Sequence, residues 1–297
     1  MSADALALGL VAWFGDAPAE TLGALPAGVT IVREPTPEVR FAVPTASAAA
    51  RRLPELPALE VVQVLSAGVD WIVDELPAGV TLCSARGTRD PAMAEWIVAA
   101  LLADLKRLGS FARAQTWERR EIDDLAGRRV MVLGHGSIGR ATERLLEPFG
   151  CEVIGVARRA RRGVLTVSEA QAVLGAMDAV VNLLPLTPAT RGLVDADFLS
   201  RMPDGALYVS AGRGATTDTA ALTAEVERGR LRAVLDVVDP EPLPGDHPLW
   251  RLPGAVISPH VAGDTAGGER AAWELVGDQL RRFAAGEPLT NVVVDGY

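Results

Sequence analysis

Short apolar runs separated by glycine and proline set the rhythm of this chain. In the first ninety residues, the stretches 8–14, 29–32, 39–43, 61–65 and 80–83 are rich in Val, Leu, Ile and Phe. Each has the length of a strand and little polar alternation, as in strands buried on both faces. Residues 18–25 and 46–53 supply helices between them, so this part predicts a parallel α/β sheet. Asp90-Pro91 then opens a long helical stretch from Ala92 to about Trp117, with Asp90 as N-cap and Pro91 at the first helical position.

A second alternating series follows. Strands are predicted at 129–133, 152–156, 178–183, 206–210, 233–236 and 255–258, with helices at 137–149, 167–174, 195–202 and 218–228. A last helix over 268–285 stops before Gly286 and Pro288. No internal repeat interrupts this order. The pattern predicts an α/β protein with two successive parallel-sheet series.

Composition narrows the partners. A length of 297 residues suits two domains of about 100–200 residues each. The net charge of −9 argues against a nucleic-acid or anionic-membrane partner, which needs a basic face. Cys83 and Cys151 are too few for a disulfide framework and suit a reducing compartment. The apolar stretch 5–14 has no preceding positive charge, so it reads as a first strand and not as a signal peptide. The uncharged run 96–103 is far short of the ~20 residues that span a bilayer. The expectation is a cytoplasmic protein acting on a small molecule without a metal.

The most informative motif is Gly134-His135-Gly136-Ser137-Ile138-Gly139, placed directly after the strand 129–133 and opening a helix. That context makes it a dinucleotide-binding turn and not a chance glycine spacing. Gly134 permits the tight turn, Gly136 lets a pyrophosphate approach the backbone, and Gly139 lets helix and strand pack closely. The helix N-terminus, with the amides around Ser137 and Ile138, favours phosphate. His135 falls in a variable slot of the motif.

About twenty residues further on, an acidic residue would bind a ribose that lacks a 2′-phosphate. Here the second strand ends Val156-Ala157-Arg158-Arg159. Ala157 takes the acidic slot, and the guanidinium groups of Arg158 and Arg159 suit a 2′-phosphate. NADP(H) is therefore favoured over NAD(H). The competing reading is a solvated basic loop, since Arg161 and Arg162 continue the run.

Three further segments end at the carboxyl edge of the predicted second sheet, where open α/β sheets bind ligands. Ser210-Ala211-Gly212-Arg213-Gly214 offers an arginine in a small-residue turn. Asp236-Val237-Val238-Asp239-Pro240-Glu241 offers carboxylates, and Ser258-Pro259-His260 a histidine. Of the other histidines, His247 lies in a proline-rich segment. Arginine can bind a carboxylate and polarise a carbonyl, while histidine exchanges a proton. A glutamate beside the histidine orients the ring and stabilises its charged form. Taken singly, each residue is equally well read as a surface or capping residue; their shared edge raises the set above that.

Together these segments resemble the D-isomer-specific 2-hydroxyacid dehydrogenase family, closest in pattern to its NADPH-using glyoxylate/hydroxypyruvate reductases. The resemblance runs over nearly the whole chain and is densest at 127–139, 183–193, 201–214, 229–244 and 248–263. It implies an oxidoreductase moving a hydride between NAD(P)H and a small 2-oxo or 2-hydroxy acid. Arg213 would bind substrate, Glu241 would be the carboxylate of the dyad and His260 the acid/base. Asp236 would contact the nicotinamide carboxamide, and Leu184 and Ala211 would line the cofactor. Gly68 and Val69, in Ser66-Ala67-Gly68-Val69-Asp70, match the loop whose amides grip the substrate carboxylate. The implied architecture is two doubly wound, parallel-sheet, Rossmann-like α/β domains: a flavodoxin-like substrate-binding domain over 1–90 and 276–297 and a dinucleotide-binding Rossmann domain over 91–275, with an active site in the cleft between them. A homodimer is usual in the family.

The same scaffold carries formate dehydrogenases, phosphite dehydrogenases and non-catalytic, cofactor-sensing corepressors. Glu241 argues against the first, which pair the histidine with glutamine. The lack of a lysine in 66–70 argues against the second, and the intact Arg213, Glu241, His260 set against the third.

Overall fold

The computed structural model describes residues 9–14, 25 and 27–294. It divides into two units, Met1–Arg89 with Ala266–Tyr297, and Asp90–Thr265. The helix expected over 18–25 lies, except for Leu25, outside the described residues.

The first unit holds β1 (Leu10–Trp13), β2 (Val29–Val32), β3 (Val39–Ala42), the short helix α1 (Ser47–Ala50), β4 (Val61–Gln63) and β5 (Thr81–Cys83). All pairs are parallel, in the order β2-β1-β3-β4-β5. The expected helix over 46–53 shrinks to α1 and a 3-10 turn at Leu53–Glu55, because Pro54 follows at once.

The second unit begins with α2 (Asp90–Leu105) and α3 (Leu108–Ala112), followed by β6 (Arg129–Leu133), α4 (Ser137–Leu146), β7 (Glu152–Val156), β8 (Val164–Leu165) and α5 (Val167–Gln171). It continues with β9 (Ala179–Asn182), α6 (Ala196–Ser200), β10 (Leu207–Ser210), α7 (Thr219–Glu227), β11 (Arg232–Leu235) and β12 (Ala255–Ile257). The seven strands are parallel in the order β12-β11-β10-β9-β6-β7-β8. The order reverses between β6 and β9, where Leu133 pairs with Asn182. Ligands of doubly wound sheets bind at such a reversal, outside the carboxyl ends of the strands. One face of the sheet packs Met131, Leu133, Val180 and Tyr208; the other packs Val130, Val132, Val181 and Val209. Adjacent residues thus face opposite cores, which is why these strands read as continuous apolar runs.

The chain then returns to the first unit as α8 (Ala266–Ala285). Ala272, Trp273, Val276 and Leu280 are buried at helical spacing, and Trp273 meets Phe14 edge-on at 6.3 Å between ring centroids. Gly286 at φ +67° ends the helix in the left-handed conformation that glycine adopts freely. Gln279 is fully buried and bonds Gln63 and Thr290, tying the helix to β4 and to the last described segment.

The long helix expected after Asp90 is broken. Arg107 adopts φ +52°, and the Leu105 carbonyl accepts the Asp123 N–H at 3.0 Å. The helix therefore stops where a later backbone segment takes its terminal acceptor, and no glycine or proline in 92–108 announces it. The two-residue β8 is too short to leave any periodic signal.

A buried polar network ties the loops after β9 and β10 together. Asn182 donates through Nδ2 to Tyr208 Oη at 2.8 Å and to Thr216 Oγ1 at 2.8 Å, and its Oδ1 accepts the Leu184 N–H at 3.1 Å. Tyr208 Oη also meets Thr217 Oγ1 at 2.6 Å, and burial pushes its phenol up to about 12. Removing one member leaves buried polar partners unsatisfied, which costs about 1–3 kcal/mol. Tyr208→Phe should lower stability by that amount in urea unfolding followed by far-UV circular dichroism; a midpoint equal to wild type would show the hydroxyl to be dispensable.

Candidate active site

Backbones approach unusually closely at the carboxyl edge of the seven-stranded sheet. Gly134, at φ +90°, lies where a Cβ would stand 2.6 Å from the Leu183 carbonyl oxygen. A Cβ on Gly139 would stand 3.0 Å from the Gly134 oxygen and 3.2 Å from Val132 Cγ1. These two glycines do what their motif demands: one turns the chain and the other packs helix on strand.

Gly136 differs. A Cβ there would meet nothing closer than 4.0 Å, so its glycine is not required by the protein's own packing. It is the N-cap of α4 and supplies no side-chain cap to the first-turn N–H groups, which Ser137, Ile138 and Gly139 carry. Open space beside an uncapped helix N-terminus fits a phosphate group, so these residues suit the dinucleotide that the motif implies.

Leu184 and Ala211 are both 6% exposed and sit just beyond β9 and β10. Ala211 donates its N–H to the Asn182 carbonyl at 3.0 Å. Arg213 follows on an extended backbone (φ −137°, ψ 132°), half-buried, with Nη1 donating to the Gly212 carbonyl at 2.9 Å. A Cβ on Gly212 would stand 2.6 Å from the Leu184 oxygen, and one on Gly214 only 1.8 Å from the Val238 oxygen. The arginine is therefore held between two glycines whose neighbours admit no side chain.

Glu241, between two cis X-Pro bonds, reaches His260: Oε1 and Nδ1 are 2.6 Å apart. An ionised carboxylate can only accept, so Nδ1 carries the hydrogen and Nε2 remains for proton exchange. Both side chains are partly exposed, at 40% and 47%.

Asp236 has a larger part in this geometry than a sequence can show. It is 3% exposed, and its carboxylate accepts three hydrogen bonds: Ser258 Oγ at 2.5 Å and Val261 N at 2.9 Å on Oδ1, and Ala262 N at 2.9 Å on Oδ2. Its backbone carbonyl accepts the His260 N–H at 2.9 Å. His260 itself has φ +55°, a conformation uncommon for a residue with a Cβ. One aspartate thus frames the whole turn that presents the imidazole.

Of the other residues singled out from sequence, Arg158 and Arg159 are exposed at the tip beyond β7, and His247 caps a 3-10 turn by accepting the Leu249 N–H. In the first unit, Ser66 Oγ donates to the Gly68 carbonyl at 2.6 Å and accepts Trp71 Nε1 at 3.1 Å, shaping the loop that carries Gly68 and Val69. Sequence reasoning passed over two residues beside the glycine loop. His135 is only 6% exposed, and Arg161, read as part of a solvated run, bonds to it. The signal that could have found them is Gly155, a glycine inside strand β7 beside a histidine-bearing loop.

Fold, glycine loop and His260–Glu241 pair together define a dinucleotide-dependent oxidoreductase of the doubly wound class. The model of the D-isomer specific 2-hydroxyacid dehydrogenase NAD binding domain matches residues 96–262, and the chain belongs to that family. The glyoxylate/hydroxypyruvate reductase A of Serratia proteamaculans is 30% identical over 252 residues, covering 79% of this chain and 80% of that protein. The D-3-phosphoglycerate dehydrogenase of Mycobacterium leprae is 33% identical over 255 residues, which span 81% of this chain but only 48% of that longer protein. Among solved structures, the family member from Xanthobacter autotrophicus Py2 in complex with NADPH and MES superposes with a TM-score of 0.83 at 32% identity, covering 98% of this chain and 100% of that one. The NADPH-dependent glyoxylate/hydroxypyruvate reductase of Sinorhizobium meliloti, in complex with NADP and sulfate, gives 0.82 at 30% identity, covering 97% and 100%.

Asp236→Asn tests the framing of the histidine turn. It replaces an acceptor oxygen by a donor facing backbone N–H groups, at an expected cost of about 1–3 kcal/mol. Amide hydrogen exchange at 260–262 should quicken in the variant. Unchanged exchange there would mean that the turn holds its shape without the carboxylate.

Proposed function

We propose that the protein is an NADPH-preferring reductase of small 2-oxo acids of the glyoxylate and hydroxypyruvate type. The observation that carries this reading is the 2.6 Å pair of Glu241 and His260 on the sheet edge that also bears Arg213. The nicotinamide supplies the hydride when the cofactor is bound. His260, aligned through Nδ1, delivers a proton from Nε2 to the oxygen that becomes the hydroxyl. Arg213 binds the substrate carboxylate and carbonyl through a planar fork that a lysine lacks. The Gly68 and Val69 amides give the carboxylate further donors. Asp236, besides framing the turn, keeps lone-pair capacity for the carboxamide of the cofactor.

The second unit is proposed as the dinucleotide-binding domain and the first as the substrate-binding domain. Preference for NADPH rests on Ala157, which offers no charge to repel a 2′-phosphate, and on Arg158 and Arg159, exposed just beyond it. Relatives crystallised with NADPH or NADP support the same choice.

The experiment is a panel of glyoxylate, hydroxypyruvate, pyruvate and bulkier 2-oxo acids, assayed with both cofactors. Glyoxylate or hydroxypyruvate with NADPH should give the highest kcat/KM. Ala157→Asp combined with Arg158→Ser should reverse the cofactor order. Wild-type preference for NADH would overturn the assignment of Arg158 and Arg159.

Glu241→Gln keeps the size of the side chain but no longer requires Nδ1–H, so the ring is free to take the wrong tautomer or orientation. Positioned proton transfer contributes about 10²–10⁴-fold, and kcat should fall within that range while NADPH affinity, read by fluorescence titration, stays unchanged. Near-normal turnover would remove Glu241 from the dyad.

A further inference from the structure

His135 lies at the joint between the glycine loop and the second strand. Its backbone N–H and that of Gly134 both donate to the Val156 carbonyl, at 2.8 and 2.9 Å. Its ring is buried and lies flat against β7, where a Cβ on Gly155 would stand 2.7 Å from Cγ and Cδ2. Glycine at 155 is therefore the space that the imidazole fills.

The ring is held at both nitrogens. Arg161 Nη2 is 3.0 Å from Nδ1 and 2.7 Å from the His135 carbonyl oxygen, and Glu143 Oε2 is 2.8 Å from Nε2. A guanidinium can only donate, so Nδ1 must accept; Nε2 then carries the hydrogen and donates to Glu143. The geometry therefore assigns a neutral imidazole of one tautomer, with the arginine charge beside it and the carboxylate beyond.

Arg161 is also the base of a closed turn. Arg161 and Val164 exchange backbone hydrogen bonds at 3.1 and 2.8 Å, and Ala157 N–H reaches the Leu165 carbonyl at 2.9 Å. The three residues between these ties are Arg158, Arg159 and Ala160. The tip that carries the two exposed guanidiniums is thus fastened at one end to strand β7 and at the other, through Arg161, to the glycine loop.

We propose that Arg161, acting through His135, is a positioning residue for recognition of the 2′-phosphate: the latch sets the distance between the pyrophosphate turn and the Arg158-Arg159 tip. This rests on the reading of Arg158 and Arg159 as the 2′-phosphate site. Arg161 commits its Nη2 to the protein, and its contribution is to hold two phosphate subsites in register.

The test uses the full-length protein and two fragments of the cofactor, 2′,5′-ADP and 5′-AMP, titrated calorimetrically. Wild type should bind 2′,5′-ADP the more tightly. Arg161→Ala should reduce 2′,5′-ADP affinity about tenfold and His135→Phe by less, and both should leave 5′-AMP affinity alone. His135→Phe keeps a flat ring over Gly155 but has no nitrogen for Arg161, whose bond to the carbonyl of residue 135 remains. Because the two residues form one latch, the double variant should lose no more than Arg161→Ala alone.

A loss with Arg161→Ala and none at all with His135→Phe would show a direct contact with phosphate and overturn the proposal. Equal losses for both fragments would reduce the latch to general support of the loop and overturn it as well. Wild type that does not distinguish the fragments would instead fail the 2′-phosphate reading itself, and the latch with it. A readout free of ligand is the ¹⁵N spectrum of labelled histidine: His135 Nδ1 should be the unprotonated nitrogen in wild type and lose that fixed state in Arg161→Ala.

Discussion

Four backbone segments leave the carboxyl edge of the seven-stranded sheet with no room for a Cβ between them. Gly134 rests on Leu183, Gly139 on Gly134, Gly212 on Leu184 and Gly214 on Val238. Everything the site offers hangs on this exclusion. The turn at Gly134 sets where α4 begins, and so where its first-turn N–H groups stand. The stretch between Gly212 and Gly214 sets where Arg213 leaves the sheet. A methyl group at Gly134, Gly212 or Gly214 would have to push one main chain away from another, a displacement that side-chain rotation cannot absorb.

Within that frame, directional polar contacts do the finer placement. The Asp236 carboxylate gathers a hydroxyl and two amides and bends the chain so that His260 takes a left-handed backbone. Glu241 then fixes the ring. The Asn182, Tyr208, Thr216 and Thr217 network performs the same service one strand further in, linking the loops after β9 and β10 where no solvent competes. Burial makes the bonds of Asp236 and of the Asn182 network costly to lose, so these loops are held in place.

Much of this was legible in the sequence because the strands are parallel and doubly buried. Six runs in the second series lie within a residue or so of observed strands, and the glycine spacing with its strand and helix context located the phosphate turn. Arg213, Glu241 and His260 stood out because their segments end at one edge. What stayed hidden depends on contacts distant in sequence. The end of α2 is decided by Asp123, and β8 by its pairing with β7. His135 looked interchangeable because only the third dimension reveals that Gly155 lies beneath it. Asp236 carried a family role in cofactor contact, and nothing in a linear motif says that its oxygens also serve the turn 258–262.

The contact between Gly214 and Val238 has a consequence for how this scaffold can be altered. The segment bearing the arginine and the one leading to the glutamate touch through main-chain atoms, with no side chain as a cushion. Neither can be shifted, lengthened or replaced alone without moving the other. Loops exchanged between homologous enzymes would therefore have to travel as a block, roughly 211–217 together with 236–241. Diversity in this part of the molecule is confined to side chains that project away from the shared seam.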